Sequence, residues 1–173
     1  FRSQVIQDLK DQGVDAIGSI VPSNFVEKWG LHQAGAELIF PLGGVSGKTT
    51  VLCNEEGEYT IYRADRHGFN NPDAEWDLPQ VGWVLTGDSF THGSCVHPGN
   101  NIAGQIRSRT KESVVNLGSG GNSPLIELAV LKEYAESVSP TNVIWIYYEK
   151  NDIFGLQLEN AVPIFMQYLT DGF

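Results

Sequence analysis

The stretch VGWVLTGDSFTHG, Val81–Gly93, decides the fold of this chain. Its first half, Val81 to Thr86, is a mostly apolar run of strand length. The run ends at Gly87, which relieves crowding at a bend. Because Ser89 follows a strand and precedes a turn, we expect its hydroxyl at the exposed edge of a sheet.

Outward from this stretch, strands and helices alternate along the chain. Strands are predicted at Val81–Thr86, Val114–Leu117 and Asn142–Tyr148, and helices at Asn100–Thr110, Pro124–Val138 and, interrupted by Pro163, Gln157–Leu169. Alternating β and α elements with nearly continuous apolar strands imply a parallel sheet covered by helices on both faces. The sequence therefore predicts an α/β fold.

The first 80 residues follow a less regular pattern and are predicted to form a leader region packed on a main domain of residues 81–173. A helix is predicted at Ser3–Gln12 and strands at Val14–Val21, Glu37–Leu42, Thr49–Cys53 and Tyr59–Arg63. Turn residues 54–57 make the last two strands a hairpin. Residues 65–79 are predicted to form a long ordered loop.

Composition narrows the classes of partner. The chain has 173 residues, of which 41% are hydrophobic and 18% charged, as in an ordinary globular domain. A net charge of -10 without a basic patch argues against nucleic-acid binding. No apolar run approaches the length of a membrane helix. The compartment stays open between the cell envelope or periplasm and the cytoplasm. The first residue, Phe1, predicts a processed or truncated start.

Cysteine and histidine usage points to no metal or other cofactor. The two cysteines, Cys53 and Cys95, are compatible with one disulfide or with two free buried thiols. The four histidines, His32, His67, His92 and His97, lack the spacing of zinc ligands.

Unusual sequence follows each of the three predicted parallel strands. The segments are Gly87–Gly93, Gly118–Ser123 and Glu149–Asp152. The carboxyl ends of parallel strands share one edge, where such sheets place their ligands. Together the segments supply a hydroxyl on Ser89, glycine backbone N–H groups and the amide of Asn151. These are the parts of an acyl-transfer site, with a nucleophile and an oxyanion hole.

The sequences GDSFTHG, NLGSGGNSP and YYEKNDI, starting at Gly87, Asn116 and Tyr147, resemble the first three conserved blocks of SGNH (GDSL) hydrolases. The resemblance implies a flavodoxin-like, three-layer fold and serine esterase activity. It makes Ser89 the nucleophile and first oxyanion donor, Gly121 the second donor and Asn151 the third.

Several assignments refine this resemblance. The second block is aligned so that its glycine is Gly121 and not Gly118, because residues 114–116 match the strand end of that block. Three residues are given supporting roles: Gly87 at the bend, Asp88 as a turn and capping residue, and Asp152 tying down the loop that carries Asn151.

The leader sequence PLGGVSGKTTVLCNEEGEYTIYRADRHGFNNPDAEWD, residues 41–77, resembles that of a bacterial SGNH-like subgroup associated with polysaccharide biosynthesis. This resemblance implies an O-acyl ester of a carbohydrate as the substrate. Acyl transfer to a sugar hydroxyl is a close alternative, because water and alcohol acceptors share the acyl-enzyme step. A binding or scaffolding domain without catalysis is the third hypothesis.

Two departures from the family pattern bear on activity. Glu149 and Lys150 occupy the start of the third block, where the family has glycine, and predict a charged pocket wall. No histidine follows His97, whereas the family places its base in a late Asp-x-x-His block. We therefore expect a chain truncated before that block, poor in esterase activity and prone to associate through exposed apolar surface. His92 is expected to point away from the Ser89 hydroxyl.

Overall fold

The computed structural model describes residues 1–26, 40–55 and 57–170. The leader contains a helix and a small sheet of its own: α1 (Arg2–Asp11), β1 (Ala16–Gly18), β2 (Thr49–Val51) and β3 (Ile61–Arg63). β1 pairs with β2 in parallel, and β2 pairs with β3 antiparallel, so that Thr49 faces Arg63. The predicted hairpin is therefore confirmed.

The strand predicted at 37–42 is not found where it can be examined. Residues 37–39 lie outside the described ranges, and residues 40–42 have no strand conformation. The Phe40 ring instead packs edge-to-face on Phe165, with ring centroids 4.6 Å apart. Phe40 and Leu42 therefore pack in or against the main hydrophobic core without forming a strand.

The long loop of residues 65–79 is ordered around one buried carboxylate. Asp65 accepts hydrogen bonds from the backbone N–H of Phe69 (2.9 Å), from Asn71 Nδ2 (2.9 Å) and from Trp76 Nε1 (2.7 Å). A short 3-10 helix, Asp73–Asp77, lies within this loop. The hydrogen bonds to the buried Asp65 carboxylate therefore order most of this loop, where regular secondary structure is limited to the 3-10 helix.

The second part of the chain forms the parallel sheet and its helices. Its elements are β4 (Trp83–Gly87), α2 (Ser89–His92), α3 (Ile102–Thr110), β5 (Val114–Asn116), α4 (Pro124–Tyr134), β6 (Asn142–Ile146), α5 (Glu149–Glu159) and α6 (Pro163–Gln167). A 3-10 helix, Glu136–Val138, follows α4. β4 pairs in parallel with both β5 and β6, in the order β5-β4-β6. The α/β class is confirmed. None of the helices in the described ranges is long and apolar enough to cross a membrane.

Helices cover both faces of the parallel sheet. Successive strand residues point to opposite faces. Val84 belongs to the core cluster that contains Ile126 and Val130 of α4, whereas Leu85 belongs to the cluster that contains Ala103 of α3. All five of these side chains are buried. Because they belong to two separate clusters, α3 and α4 lie on opposite sides of β4.

The strand order of the parallel sheet reverses around β4. From β4 the chain crosses to β5 on one side and then to β6 on the other. Open α/β sheets bind their ligands at such a reversal of strand order. The last residue pair between β4 and β6 is Gly87 with Ile146, directly before the segments that carry Ser89 and Asn151.

The helix after β6 begins earlier than predicted. α5 begins at Glu149, so Asn151 and Asp152 lie in a helical first turn and not in a loop. Asp152 closes that turn by accepting a hydrogen bond from the backbone N–H of Tyr148 over 2.7 Å. The predicted single broken helix is two helices, because Pro163 begins α6, a position that proline favours.

The two cysteines form a disulfide. Cys53 and Cys95 are bonded, with their Cα atoms 5.0 Å apart. This resolves the alternative between a disulfide and free thiols. The bond ties the segment after β2 to the segment after α2, and so joins the leader to the main domain.

Among the described residues, β6 is an edge strand of the parallel sheet. Val143, Trp145 and Tyr147 alternate along it and its C-terminal end, and are 47%, 43% and 52% exposed. Association through exposed apolar surface stays a prediction, and this edge is where it would be sought.

Candidate active site

Ser89 is the first residue of α2, immediately after a sharp turn that leaves β4. Gly87 has φ +154°, and a Cβ there would lie 2.2 Å from Thr91 Oγ1 and 2.6 Å from the Ile146 carbonyl oxygen. Only glycine fits this bend. Asp88 then caps α2, because its Oδ1 accepts a hydrogen bond from the Phe90 N–H over 2.9 Å. The turn thus places Ser89 at the carboxyl end of β4, at the start of α2.

Two polar groups of Ser89 remain unengaged. Neither its backbone N–H nor its hydroxyl makes a hydrogen bond with any residue in the described ranges. The residue is half-buried. A first-turn N–H has no partner within its helix and can donate to a bound anion.

Gly121, and not Gly118, has a free backbone N–H in the glycine-rich loop. Three N–H groups of the loop already donate: Gly118 to Asn116 Oδ1 (2.9 Å), Ser119 to the Gly87 carbonyl (3.2 Å) and Asn122 to the Ser119 carbonyl (3.2 Å). Gly120 and Gly121 donate to no described residue. The hydrogen bonds within the loop therefore engage the N–H of Gly118 and leave the N–H of Gly121 available to a ligand.

The glycine-rich loop packs directly on α2. A Cβ on Gly118 would lie 2.5 Å from Thr91 Cβ and 2.6 Å from the His92 nitrogen. Asn116 Nδ2 also donates to the Thr91 carbonyl over 2.7 Å. These contacts hold the loop beside the helix that begins with Ser89.

A leader residue that the sequence did not indicate supports the same loop. Ser23 Oγ donates to the Gly120 carbonyl over 3.0 Å. A Cβ on the exposed Gly121 would lie 2.6 Å from that Oγ. No local pattern around Ser23 marks this contact, since it joins residues 97 positions apart.

Asn151 is bound through Asp88 to the turn that carries Ser89. Its Nδ2 donates to Asp88 Oδ2 over 2.8 Å. An amide nitrogen carries two hydrogens, so one N–H of Asn151 remains for another acceptor. The rings of Phe90 and Tyr148 also meet edge-to-face, with centroids 4.9 Å apart, and join the same two segments. Sequence neighbours Glu149 and Lys150 are exposed.

Two buried glutamates lie close to these segments and were not anticipated. Glu127 accepts a hydrogen bond from Trp145 Nε1 over 2.6 Å, and burial raises its pKa to about 8. Glu159 accepts from the backbone N–H groups of Ser123 (2.8 Å) and Leu125 (2.9 Å), and burial raises its pKa to about 7. The sequence LIELAVL around Glu127 carried the only signal, a carboxylate inside an apolar helical run.

None of the histidines in the described ranges is bonded to Ser89. His92 Nε2 lies 3.1 Å from the Tyr62 hydroxyl, and burial lowers the pKa of His92 to about 4. A general base works best with a pKa near the operating pH, so this neutral histidine is poorly suited. His67 packs against the rings of Trp76 and Tyr134, and His97 is exposed. His32 lies outside the described residues.

The described residues contain no group of three or more His, Cys, Asp or Glu side chains that could hold a metal ion.

Comparison with models of protein families, with curated proteins and with solved structures finds no match to this chain. Its function is therefore inferred from the arrangement of its own residues.

Proposed function

We propose that this chain carries the nucleophile and the oxyanion-binding groups of an SGNH-type serine acyl hydrolase. One observation carries the proposal. Three segments distant in sequence contact one another: Asn151 bonds to Asp88 beside Ser89, and the glycine-rich loop packs on α2 at Gly118. The N–H groups of Ser89, Gly120 and Gly121 donate to no described residue.

In the proposed reaction the Ser89 oxygen attacks the carbonyl carbon of an ester. The C=O π bond breaks, and the carbonyl oxygen becomes an anion. The N–H groups of Ser89 and Gly121 and the spare N–H of Asn151 donate to that anion. Collapse of the intermediate re-forms the C=O bond and breaks the ester C–O bond, and the leaving oxygen takes up the proton removed from Ser89 to depart as the alcohol. The resulting acyl-serine is then hydrolysed by water. Preorganised donors of this kind each contribute on the order of 100- to 1000-fold in rate.

The proton of Ser89 needs an acceptor, which we place outside the described residues. A serine hydroxyl is a weak nucleophile without a base in hydrogen-bond reach. Asp88 is not placed as that base, because the Ser89 hydroxyl makes no hydrogen bond to it and its two oxygens bind the Phe90 N–H and Asn151 Nδ2.

The strand order supports the proposed fold. β5-β4-β6 places the first strand of the parallel sheet in the middle, with the second and third on either side. Flavodoxin-like sheets begin with the same order and bind their ligand between the first and third strands. The proposed nucleophile and the proposed asparagine donor follow the corresponding strands, β4 and β6.

The substrate class rests on resemblance alone. The leader sequence of residues 41–77 favours an O-acyl ester of a carbohydrate, with water or a sugar hydroxyl as acceptor. A binding domain without catalysis is the competing function, favoured by the lack of a base bonded to Ser89 among the described residues.

The test is covalent labelling of the protein with a fluorophosphonate, followed by peptide mass spectrometry. Because no described base is bonded to Ser89, we expect slow labelling, on Ser89 and on no other serine, and no label at that peptide after Ser89→Ala. Ser94→Ala is the matched control, since Ser94 lies five residues on and donates its backbone N–H to the Ser89 carbonyl. Labelling slowed roughly 100-fold by Asn151→Ala would support the oxyanion role. Label distributed over several serines, or unchanged by Ser89→Ala, would favour the binding domain.

A further inference from the structure

A cavity of about 800 Å³ lies between the leader hairpin and α3. β3 forms one wall, Pro98 and Gly99 with α3 form the other, and residues 70–72 form the floor. This volume falls within the range of about 300–1000 Å³ that is typical of small-molecule sites. Ser89 does not line it.

The two walls are held together covalently. The Cys53–Cys95 disulfide joins the hairpin side to the segment that leads into Pro98. Within the wall formed by Pro98, Gly99 and α3, a Cβ on Gly104 would lie 2.4 Å from the Pro98 carbonyl oxygen. The backbone of α3 is therefore in close contact with the segment that contains Pro98. A cavity whose walls are fixed before binding loses little conformational entropy when a ligand enters.

The charged residues that line the cavity are arginines. Of the charged residues in the described part of the chain, Arg63 and Arg107 line it and no aspartate or glutamate does, although the chain has a net charge of -10. Arg63 is exposed and makes no ion pair or side-chain hydrogen bond with any described residue. Nearby Arg66, by contrast, is paired with Asp73 and Asp77. Arg63 therefore presents an unneutralised guanidinium.

Arg107 is held in place with one nitrogen to spare. Its Nε lies 2.9 Å from Glu75 Oε1, and one terminal nitrogen, Nη2, donates to Asn71 Oδ1 over 2.9 Å. The other terminal nitrogen, Nη1, donates to no residue in the described ranges. Glu75 neutralises the charge of Arg107 but leaves this N–H pair able to bind an acceptor.

The rest of the lining is mostly apolar, with one available acceptor. Ile61, Tyr62, Pro72 and Pro98 contribute hydrocarbon or ring surface. The buried Asn70 donates through Nδ2 to the His92 carbonyl over 3.2 Å, and its Oδ1 accepts from no described residue. Apolar walls with a few polar groups are typical of sites for small organic molecules.

We propose that this cavity binds a small ring-shaped organic molecule that carries a carboxylate. The carboxylate accepts hydrogen bonds from Arg63 and from Nη1 of Arg107, and the ring packs against the apolar walls. Arginine suits this role because its planar N–H fork matches a carboxylate. The proposal does not depend on Ser89 being a nucleophile.

The cavity contacts α2 through His92, which supplies a readout. Tyr62 and Asn70 both line the cavity and both bond to His92, at 3.1 Å and 3.2 Å. Ligand binding should therefore shift the amide resonance of His92 together with those of β3 and α3.

The experiment is an amide NMR titration of the disulfide-bonded protein with benzoate and with glucuronate. Benzamide and glucose are the neutral counterparts, and inorganic phosphate at matched ionic strength tests for a general anion site. We expect saturable shifts at the cavity for a carboxylate, at least tenfold weaker binding for its neutral counterpart, and weaker binding of phosphate. Binding of benzoate alone would indicate that the natural ligand has an apolar ring. Binding of glucuronate would indicate that the natural ligand is an acidic sugar. No saturable shift with either carboxylate, or equal binding of phosphate, would overturn the proposal.

Variants separate this site from the serine site. Arg63→Ala should weaken carboxylate binding at least tenfold. Arg109→Ala, which removes the same charge from an exposed residue outside the cavity, should leave binding unchanged. Ser89→Ala should also leave it unchanged, so failure of the esterase proposal would not remove this one. Equal losses with Arg63→Ala and Arg109→Ala would show that only net charge matters, against a specific site.

Discussion

Asn151 Nδ2 donates a hydrogen bond to Asp88 Oδ2 over 2.8 Å, although the two residues are 63 positions apart. The bond joins the first turn of α5 to the turn that carries Ser89. Asp88 is fully buried, and its other oxygen caps α2. One carboxylate thus sets both the start of α2 and the orientation of the Asn151 amide.

Substitution of Asp88 should separate these two roles. Asp88→Asn keeps one oxygen for the Phe90 N–H but sets an amide nitrogen against Asn151, so we expect a loss of about 1–3 kcal/mol in unfolding free energy. Asp88→Ala should cost about 0.5–2 kcal/mol more, because the cap is also lost. Urea unfolding followed by circular dichroism measures both. The exposed Asp11→Asn, which keeps an oxygen for Gln7 Nε2, is the control, and equal stability of Asp88→Asn and the unchanged protein would contradict the assignment.

Glu127 should make the protein less stable as the pH rises. Its pKa is about 8 in the fold against 4.5 for the free side chain. Between these values the unfolded chain releases a proton that the folded chain keeps, so unfolding free energy falls with increasing pH. Glu159, with a pKa of about 7, acts in the same direction.

Glu127→Gln should therefore be more stable than the unchanged protein at pH 8, by roughly 2–5 kcal/mol, and similar to it at pH 4.5. The glutamine oxygen can still accept from Trp145 Nε1. Urea unfolding at both pH values measures the difference, with exposed Glu136→Gln as the matched control. A variant that is less stable at pH 8 would show that the ionised carboxylate is favoured in the fold.

The disulfide should contribute substantially to stability. Cys53 and Cys95 are 42 positions apart, and closing a loop of this length stabilises the fold by up to about 4 kcal/mol in the chain-entropy model. We expect the Cys53→Ala, Cys95→Ala double variant to unfold at a lower temperature and to be insensitive to dithiothreitol. The unchanged protein should lose a similar amount of stability on reduction. An unfolding temperature that is the same with and without reductant would refute this contribution.

Gly118 should tolerate no side chain. Gly118 is buried in the glycine-rich loop where that loop packs against α2. A Cβ added there would lie 2.5 Å from Thr91 Cβ and 2.6 Å from the His92 nitrogen. Gly118→Ala should cost about 1–3 kcal/mol, the usual range for overpacking. Gly99→Ala is the control, since a Cβ there meets nothing within 4 Å. Thermal unfolding compares the two variants, and equal melting temperatures would mean that the loop moves freely away from α2.

Ester turnover by this chain should be slow. The Ser89 hydroxyl has no base bonded to it among the described residues. Serine hydrolases that lack a triad member keep roughly 1000- to 10,000-fold acceleration over water, from the oxyanion hole and binding. Hydrolysis of 4-nitrophenyl acetate by the chain, by Ser89→Ala and by Ser94→Ala measures the Ser89-dependent part. Fast Ser89-dependent turnover would point to a base that the geometry does not indicate, with His92 examined first.

Local sequence was sufficient for the elements that depend on short-range patterns. The three apolar runs become the parallel strands, β2 pairs antiparallel with β3 as a hairpin requires, and Gly87-Asp88-Ser89 becomes a strand-to-helix turn. Each depends on hydrophobic periodicity or turn chemistry within a few residues. The sequence also placed Ser89 and Asn151 at strand ends, because parallel strands share one edge.

Local sequence patterns could not predict the features that depend on packing between distant segments. α5 begins at Glu149 because Asp152 closes its first turn, where the sequence pattern predicted a loop. The pKa values of Glu127 and Glu159 are raised because neighbouring elements bury them, although glutamate in a helix is usually exposed. The disulfide likewise needed two distant segments to come within bonding distance. Burial and distance belong to the assembled chain, since each depends on elements far apart in sequence.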